Sequence, residues 1–590
     1  MGGSVRRPVA HFASPVDPAK PGVVMSQSET TSKLNARQRS LDLRRMGTET
    51  FDIVVIGGGV TGCGIALDAV TRGLSVALIE QRDYASGTSS RSSKLFHGGL
   101  RYLEHRNFTL VREALAERNL MFNRLCPHLC TPVSFLYPLQ HRVWERLYVG
   151  AGVLLYDTLA SRADNPLPRH RHLSHRSAIE LAPALAEGSL TGGVLYWDVL
   201  VDDARHTMTL ARTAKAHGAA LAPSTRATGL LLEGGTVVGA RGRDLESGEE
   251  LDIRGHKVIS AGGVWSDDIQ AMAGDQGQDV RASKGVHLVV PRDRIDSQTG
   301  MILRTERSVL FVIPWGRHWL IGTTDTPWSL RRAHPAACRD DIDYLLRWVN
   351  TVLASPIGPE DVVGVYAGLR PLLVGESDET SKLSREHAVL ESDTGLITVA
   401  GGKYTTYRVM AKDAVDAATG SGTGESSRTD TVPLVGAAGY QEAWDRRAEL
   451  KVGPEVAEHL LKRHGSSIFD LLAAIEAEPS LARPLIDDAP YLRAEIAHAV
   501  THEGALHLDD VLTRRTRISI ETPDRGAMAA PLAAAIMAGP LGWDHETMQR
   551  EIEHYLARVE AELDSQRQPD DRTADAARMG APDVRTGRAE

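Results

Sequence analysis

The chain has 590 residues, 42% hydrophobic and 24% charged, with a formal charge of −9 at pH 7. That length predicts two or three domains and a sizeable buried core. The mildly acidic balance gives no reason to expect nucleic acid, and four cysteines in so long a chain argue against a disulfide framework and fit a reducing compartment.

Residues 1–50 are rich in Pro, Ser and Arg with little apolar periodicity, and are expected to be disordered. Their Arg and Ser content suggests a transit peptide, Asp17, Glu29 and Asp42 weaken that reading, and Met25 offers an alternative start. The next stretch, FDIVVIGGGVTGCGIALDAVTRGLSVALIEQ, reads strand, glycine turn, helix, strand. In Gly57-x-Gly59-x-x-Gly62, Gly57 permits the turn, Gly59 lets the backbone approach a pyrophosphate, and Gly62 allows the helix to pack on the strand. The helix start offers free N–H groups to phosphate. Glu80, ending the second strand, is placed to accept hydrogen bonds from a ribose diol, which argues against a 2′-phosphate.

NAD and FAD both fit that unit, and the residues beyond Glu80 discriminate between them. Asp83–Tyr102 (DYASGTSSRSSKLFHGGLRY) is a long Ser/Gly loop suited to wrapping an extended cofactor. A helix is predicted over about Asn107–Leu125. Cys126 and Cys130 lie one helical turn apart and read as core packing; no metal site is expected, and no calcium loop is present. Gln140–Arg162 mixes Trp144, Leu147, Tyr148 and Val153 with Arg142, Arg146 and Arg162, which fits either a membrane-surface helix or an amphipathic helix packed on a substrate domain. Residues 193–218 read strand then helix, capped by Asp202 or Asp203. A β-meander over 223–259 leads into VISAGGVWS, and 284–325 alternates as antiparallel strands. Leu396–Val415 (LITVAGGKYTTYRVMAKDAV) is another strand, glycine turn and helix, whose N-terminus suits the negative charge of a reduced flavin. Three such turns around one cofactor indicate FAD. From 440 the chain reads as helical; Gly526–Trp543 is a buried helix rather than a membrane span, and 561–590 is expected to be disordered.

GGGVTGCGIALDA, SGTSSRSSKLFHGGLRYLE, WDVLVDDAR, FVIPWG with IGTTDT, GLRPLL, GGKYTTYR and ALHLDDVLTRRTRISIE together resemble the FAD-dependent, quinone-linked glycerol-3-phosphate dehydrogenases over about residues 50–560. The resemblance implies an α/β fold with a Rossmann-type FAD-binding domain of the glycine-oxidase or D-amino-acid-oxidase type, an antiparallel substrate domain and a C-terminal helical domain. The expected organisation is an oxidoreductase region at 51–430, with FAD-binding segments near 51–130, 195–275 and 360–420 and substrate segments near 131–194 and 276–359, then a helical domain at 431–560. The implied reaction is oxidation of sn-glycerol 3-phosphate to dihydroxyacetone phosphate, with electrons passed to a membrane quinone. The implied setting is cytoplasmic, peripheral to the inner face of the plasma membrane, as a homodimer. An oxidase using oxygen and an FAD-dependent amino-acid or amine oxidase are the alternatives.

The substrate is a small dianion, so Arg101, Arg370 and Lys403, each beside a glycine turn, are the expected phosphate ligands, with Tyr102 bonding an oxygen. The reaction needs a base for the hydroxyl proton. His287 in KGVHLVV is the first choice, His97 the rival, and Arg370 a stabiliser of the developing alkoxide. Expected cofactor contacts are Gly57, Gly59, Gly62, Glu80, Thr88, Ser89, Ser93, Lys94, Ala227, Ala261, Gly262, Gly402, Lys403, Thr405 and Thr406. The family's basic residue directly before the FVIPW strand is here Ser308, with Arg307 one place earlier, which reverses the facing side on a strand.

Overall fold

The computed structural model describes residues 32–585 apart from 100–106, 142, 162–166, 276–279, 307–308, 374–385, 421–424, 488 and 582. Two sheets organise the oxidoreductase region, of eight and ten strands among the described residues. The first is built on Thr50–Ile56, which pairs in parallel with Val76–Ile79 on one side and Glu250–Ser260 on the other. Ile397–Gly401 extends it in parallel from Glu250–Ser260. Its strands read as near-continuous apolar runs because both faces are covered. The helix Val60–Thr71 packs against the helices Asp203–Ala216 and Tyr407–Thr419 on one face. The meander is present as Thr225–Glu233 and Thr236–Asp244, joined antiparallel to Glu250–Ser260.

The second sheet carries the substrate side. Val280–Pro291 pairs antiparallel with His318–Gly322 and with Gly364–Leu373. The register sets His287 opposite Tyr366, and Ser283 opposite Arg370. A period of two then puts Ser283, Gly285 and His287 on one face with Tyr366, Gly368 and Arg370. The helix after Gly192–Val201 is capped by Asp202, whose carboxylate accepts from the Arg205 N–H.

The C-terminal region is helical, with Pro454–His464, Arg493–His502, Ala530–Leu541 and His545–Ser565 packed around two apolar clusters. Ala530–Leu541 is the buried helix expected within Gly526–Trp543. Charge, not only apolar contact, fastens this region to the cofactor domain. Arg514 and Arg515 both donate to Asp83, and Arg205 makes a two-pronged pair with Glu503 at 2.5 and 3.0 Å.

Part of each segment expected to be disordered is ordered. Residues Ala36–Thr48 form a helix, with Asn35 Oδ1 accepting from the Gln38 N–H at its start. Its buried face includes Arg39 and Asp42, satisfied by Asp244 and by Lys215, whose Nζ lies 2.7 Å from both Asp42 oxygens. Composition treats those residues as solvated charges, whereas distant partners bury them. Beyond residue 561, the long helix continues to Ser565 and a further helix, Asp571–Arg578, comes after it. Asp571 pairs with buried Lys284 and Asp575 with Arg331, so the tail docks through ion pairs on the substrate sheet.

Candidate functional site

A cavity of about 430 Å³ runs from the first glycine turn to the last. Gly57, Gly59, Glu80, Thr88, Ser89, Ala227, Ala261, Gly262, Gly402 and Lys403 line it. Its near end is a cradle that no side chain can enter. Gly57 sits at φ +115, and a Cβ there would lie 2.6 Å from the Ala261 carbonyl oxygen. A Cβ on Gly62 would lie 1.8 Å from the Gly57 oxygen, so helix and turn meet backbone to backbone. The helix Val60–Thr71 starts at Gly59, which has no side chain to cap it; the Val60 N–H donates to Ser89 Oγ at 2.9 Å, and Gly59, Val60 and Thr61 face the cavity. Uncapped N–H groups at a helix start hold phosphate. Glu80 is fixed by the N–H groups of Gly58 (2.7 Å) and Arg82 (2.8 Å), and burial pushes its carboxyl up. The shape and donor set fit an extended dinucleotide: pyrophosphate at the helix start, ribose at Glu80, and a ring reaching toward Gly402–Lys403.

The remaining expected cofactor residues stand behind this lining. Ser93 turns to the substrate sheet, with its Oγ 2.9 Å from His287 Nε2. Lys94 is fully buried, and its ammonium pairs with Asp203 at 2.7 Å and the Ser90 carbonyl at 3.0 Å. Arg517 pairs with the same Asp203 oxygen. Burial first, then Arg517, holds the Lys94 pKa below the lysine range. Lys94 therefore anchors the flavin loop to the helix Asp203–Ala216. Thr405 Oγ1 accepts from the His97 N–H at 3.2 Å, which ties the Lys403 turn to that loop; Thr406 is buried beside it.

The substrate face is built on two strands. His287 is buried, and its ring stacks on Tyr366 at 4.8 Å and 6°. Nδ1 has no hydrogen-bond partner among the described residues. Burial, with Arg370 and Lys94 nearby, holds the imidazole pKa well below 6.5, so the ring is neutral at pH 7. Arg370 donates to Thr323 Oγ1 at 3.0 Å and to the Thr324 carbonyl at 3.2 Å. The cofactor loop lies over this face, since a Cβ on Gly368 would meet the Arg91 carbonyl oxygen at 2.5 Å. His97 sits at the other edge with its ring 6.5 Å from Phe311. Arg101, Tyr102, Arg307 and Ser308 lie outside the described residues.

Tyr366, Thr323 and Asp203 are absent from the site expected on sequence alone. Tyr366 carries a usable signal, lying four residues before Arg370 on the same face of one strand. Asp203 reads in the sequence only as a possible helix cap.

Known proteins place this geometry. The family described as FAD dependent oxidoreductase matches residues 52–408, and the C-terminal domain of alpha-glycerophosphate oxidase matches residues 427–548. The chain is 55% identical over 566 residues to glycerol-3-phosphate dehydrogenase 2 of Mycobacterium tuberculosis, covering 95% of this chain and 96% of that one. It is 36% identical over 539 residues to the mitochondrial glycerol-3-phosphate dehydrogenase of Homo sapiens, covering 87% of this chain and 73% of the other. Its fold is similar to the glycerol-3-phosphate dehydrogenase from Bacillus halodurans complexed with FAD, with TM-score 0.74 and 28% identity over 89% of this chain and 98% of that one. With its cofactor cradle, its substrate sheet and its helical C-terminal region all accounted for, the chain belongs to the FAD-dependent glycerol-3-phosphate dehydrogenase family.

Proposed function

We propose that this chain oxidises sn-glycerol 3-phosphate to dihydroxyacetone phosphate and passes the electrons to a membrane quinone. The observation that carries the reaction is His287, stacked on Tyr366 and on the same sheet face as Arg370, beneath the cofactor loop. FAD, when bound, supplies the hydride acceptor. Arg370 and Lys403, with Arg101 and Tyr102, hold the phosphate and orient the carbinol carbon. His287 takes the hydroxyl proton, and the Ser93 hydroxyl, 2.9 Å from its Nε2, helps to hold the ring. Tyr366 fixes the plane of the ring by stacking. Arg370 steadies the negative charge that builds on the oxygen as the proton leaves.

The quinone reading needs a membrane-facing surface. Among the described residues no helix is long and apolar enough to cross a membrane. The helix Trp144–Ser161 offers an alternative. Val149, Val153, Tyr156 and Ala160 pack inward, while Trp144, Leu147, Tyr148 and Leu154 on the other side are 58, 69, 52 and 58% exposed. An exposed apolar stripe of that kind suits the head-group boundary of a bilayer. Arg146, which the membrane-surface alternative turns toward lipid, donates to the Leu173 carbonyl at 2.9 Å and helps seat the helix. The homodimer implied by the family belongs to the same reading.

Flotation on anionic vesicles containing a quinone tests this surface. The holoenzyme is expected to float and to turn over with the quinone faster than with oxygen. Leu147→Glu with Leu154→Glu should abolish flotation and quinone turnover while leaving turnover with a soluble dye intact. Unchanged flotation of the double variant rejects the helix, and fast oxygen turnover with peroxide favours an oxidase.

A further inference from the structure

The C-terminal helices line a second cavity, of about 70 Å³, which shares no lining residue with the one between the glycine turns. Five arginines line it, Arg91, Arg517, Arg525, Arg558 and Arg578, against two carboxylates, Asp509 and Glu562. Following the charges shows which are uncompensated. Arg517 is matched by Asp202 and Asp203, Arg558 by Asp509, and Arg578 by Glu562 at 3.2 Å. Asp509 is also shared with Arg514. Arg91 and Arg525 have no carboxylate partner among the described residues. Arg91 donates to the Ala333 carbonyl at 3.2 Å. Arg525, only 3% exposed, donates to the Val363 carbonyl and to Gln566 Oε1, and its Nε has no partner.

Positive charge is therefore left over around this cavity, from Arg525, which is buried, and Arg91, which is half-buried. Burial, with Arg558, Arg578 and Arg514 close by, pulls the Arg91 pKa down to about 9, and burial lowers that of Arg525 against the weaker pull of Glu562 and Asp524. Uncompensated buried charge is costly unless something pairs with it. Planar guanidiniums match tetrahedral oxyanions with paired hydrogen bonds. A volume of this size admits one such anion and no nucleotide.

We propose that this cavity is a second anion site, selective for one phosphate-class oxyanion held by Arg91 and Arg525 and flanked by Arg558 and Arg578. The anion bridges three parts of the chain: the cofactor loop through Arg91, the turn at Arg525, and the C-terminal helices His545–Ser565 and Asp571–Arg578. Tyr366, whose ring stacks on His287, lines the same cavity, so the site borders the substrate face.

Tungstate in crystals of the holoenzyme, and equilibrium dialysis of inorganic phosphate in solution, test the proposal. The expected results are an anomalous peak within hydrogen-bond distance of Arg91 and Arg525, and phosphate binding that survives Arg370→Ala. Arg525→Gln should weaken that binding at least about tenfold with flavin content unchanged. A saturated crystal with no tungstate in this cavity overturns the site. So does phosphate binding that is lost in Arg370→Ala, or that persists at full strength in a folded Arg525→Gln. The tungstate result on the unaltered enzyme decides the matter if the variant fails to fold.

Discussion

His287→Ala is expected to lower kcat by about 10²–10⁴-fold while the purified protein stays yellow. The range is the usual contribution of a positioned base. Flavin is retained because His287 does not line the cofactor cavity; its contacts are Ser93 and the Tyr366 ring. The pH dependence gives a second readout. Burial, Arg370 and Lys94 depress the imidazole pKa, so protonation switches the base off only at acidic pH. The acid limb of kcat/KM should therefore lie below 6.5, and Arg370→Gln, by removing a neighbouring positive charge, should move it up. An unperturbed acid limb in His287→Ala, or a loss under about tenfold, would point to His97 as the base.

The second large effect concerns the cradle. Gly62→Val should yield a folded but colourless protein. Even the first added carbon would lie 1.8 Å from the Gly57 carbonyl oxygen, closer than any non-bonded contact allows. The helix Val60–Thr71 must then move off the turn, and the N–H groups of its first turn leave the phosphate position. Bound flavin per chain is the measurement, with circular dichroism as the check on folding. Wild-type flavin content in this variant would show that the pyrophosphate is held elsewhere.

Both effects bear on how far a sequence reaches. The glycine turn, Glu80 and the Gly401–Lys403 turn are legible because each is local: a strand, a turn and a helix start lie within a few residues. The second sheet is legible as alternation. His287 can be chosen as a residue type in the right motif, but its stacking on Tyr366 depends on the pairing of residues 79 positions apart, which no local pattern encodes. Lys94 misleads for a related reason. A lysine in a Ser/Gly loop reads as a cofactor contact, whereas the ammonium of this one pairs with Asp203, 109 residues away. The helix Ala36–Thr48 and the tail helix Asp571–Arg578 escape a reading by composition because their buried faces are charged. Arg39, Asp42 and Asp571 look solvated until Asp244, Lys215 and Lys284 are brought to them.

The same long-range ion pairs bind the C-terminal region to the cofactor loop. Asp83, three residues beyond Glu80, holds both Arg514 and Arg515. Asp203 holds Lys94 and Arg517. The helical region thus supports the loop that covers the substrate face, and its docking is part of how the site is held.

Reduction of the cradle's flavin by glycerol 3-phosphate on this face is the step on which the proposed function stands. It is checked by anaerobic addition of glycerol 3-phosphate to the purified holoenzyme. Rapid bleaching of the flavin absorbance, stoichiometric with the sites and slowed in His287→Ala, is the expected result. An intact, bound flavin that glycerol 3-phosphate leaves unbleached would contradict it.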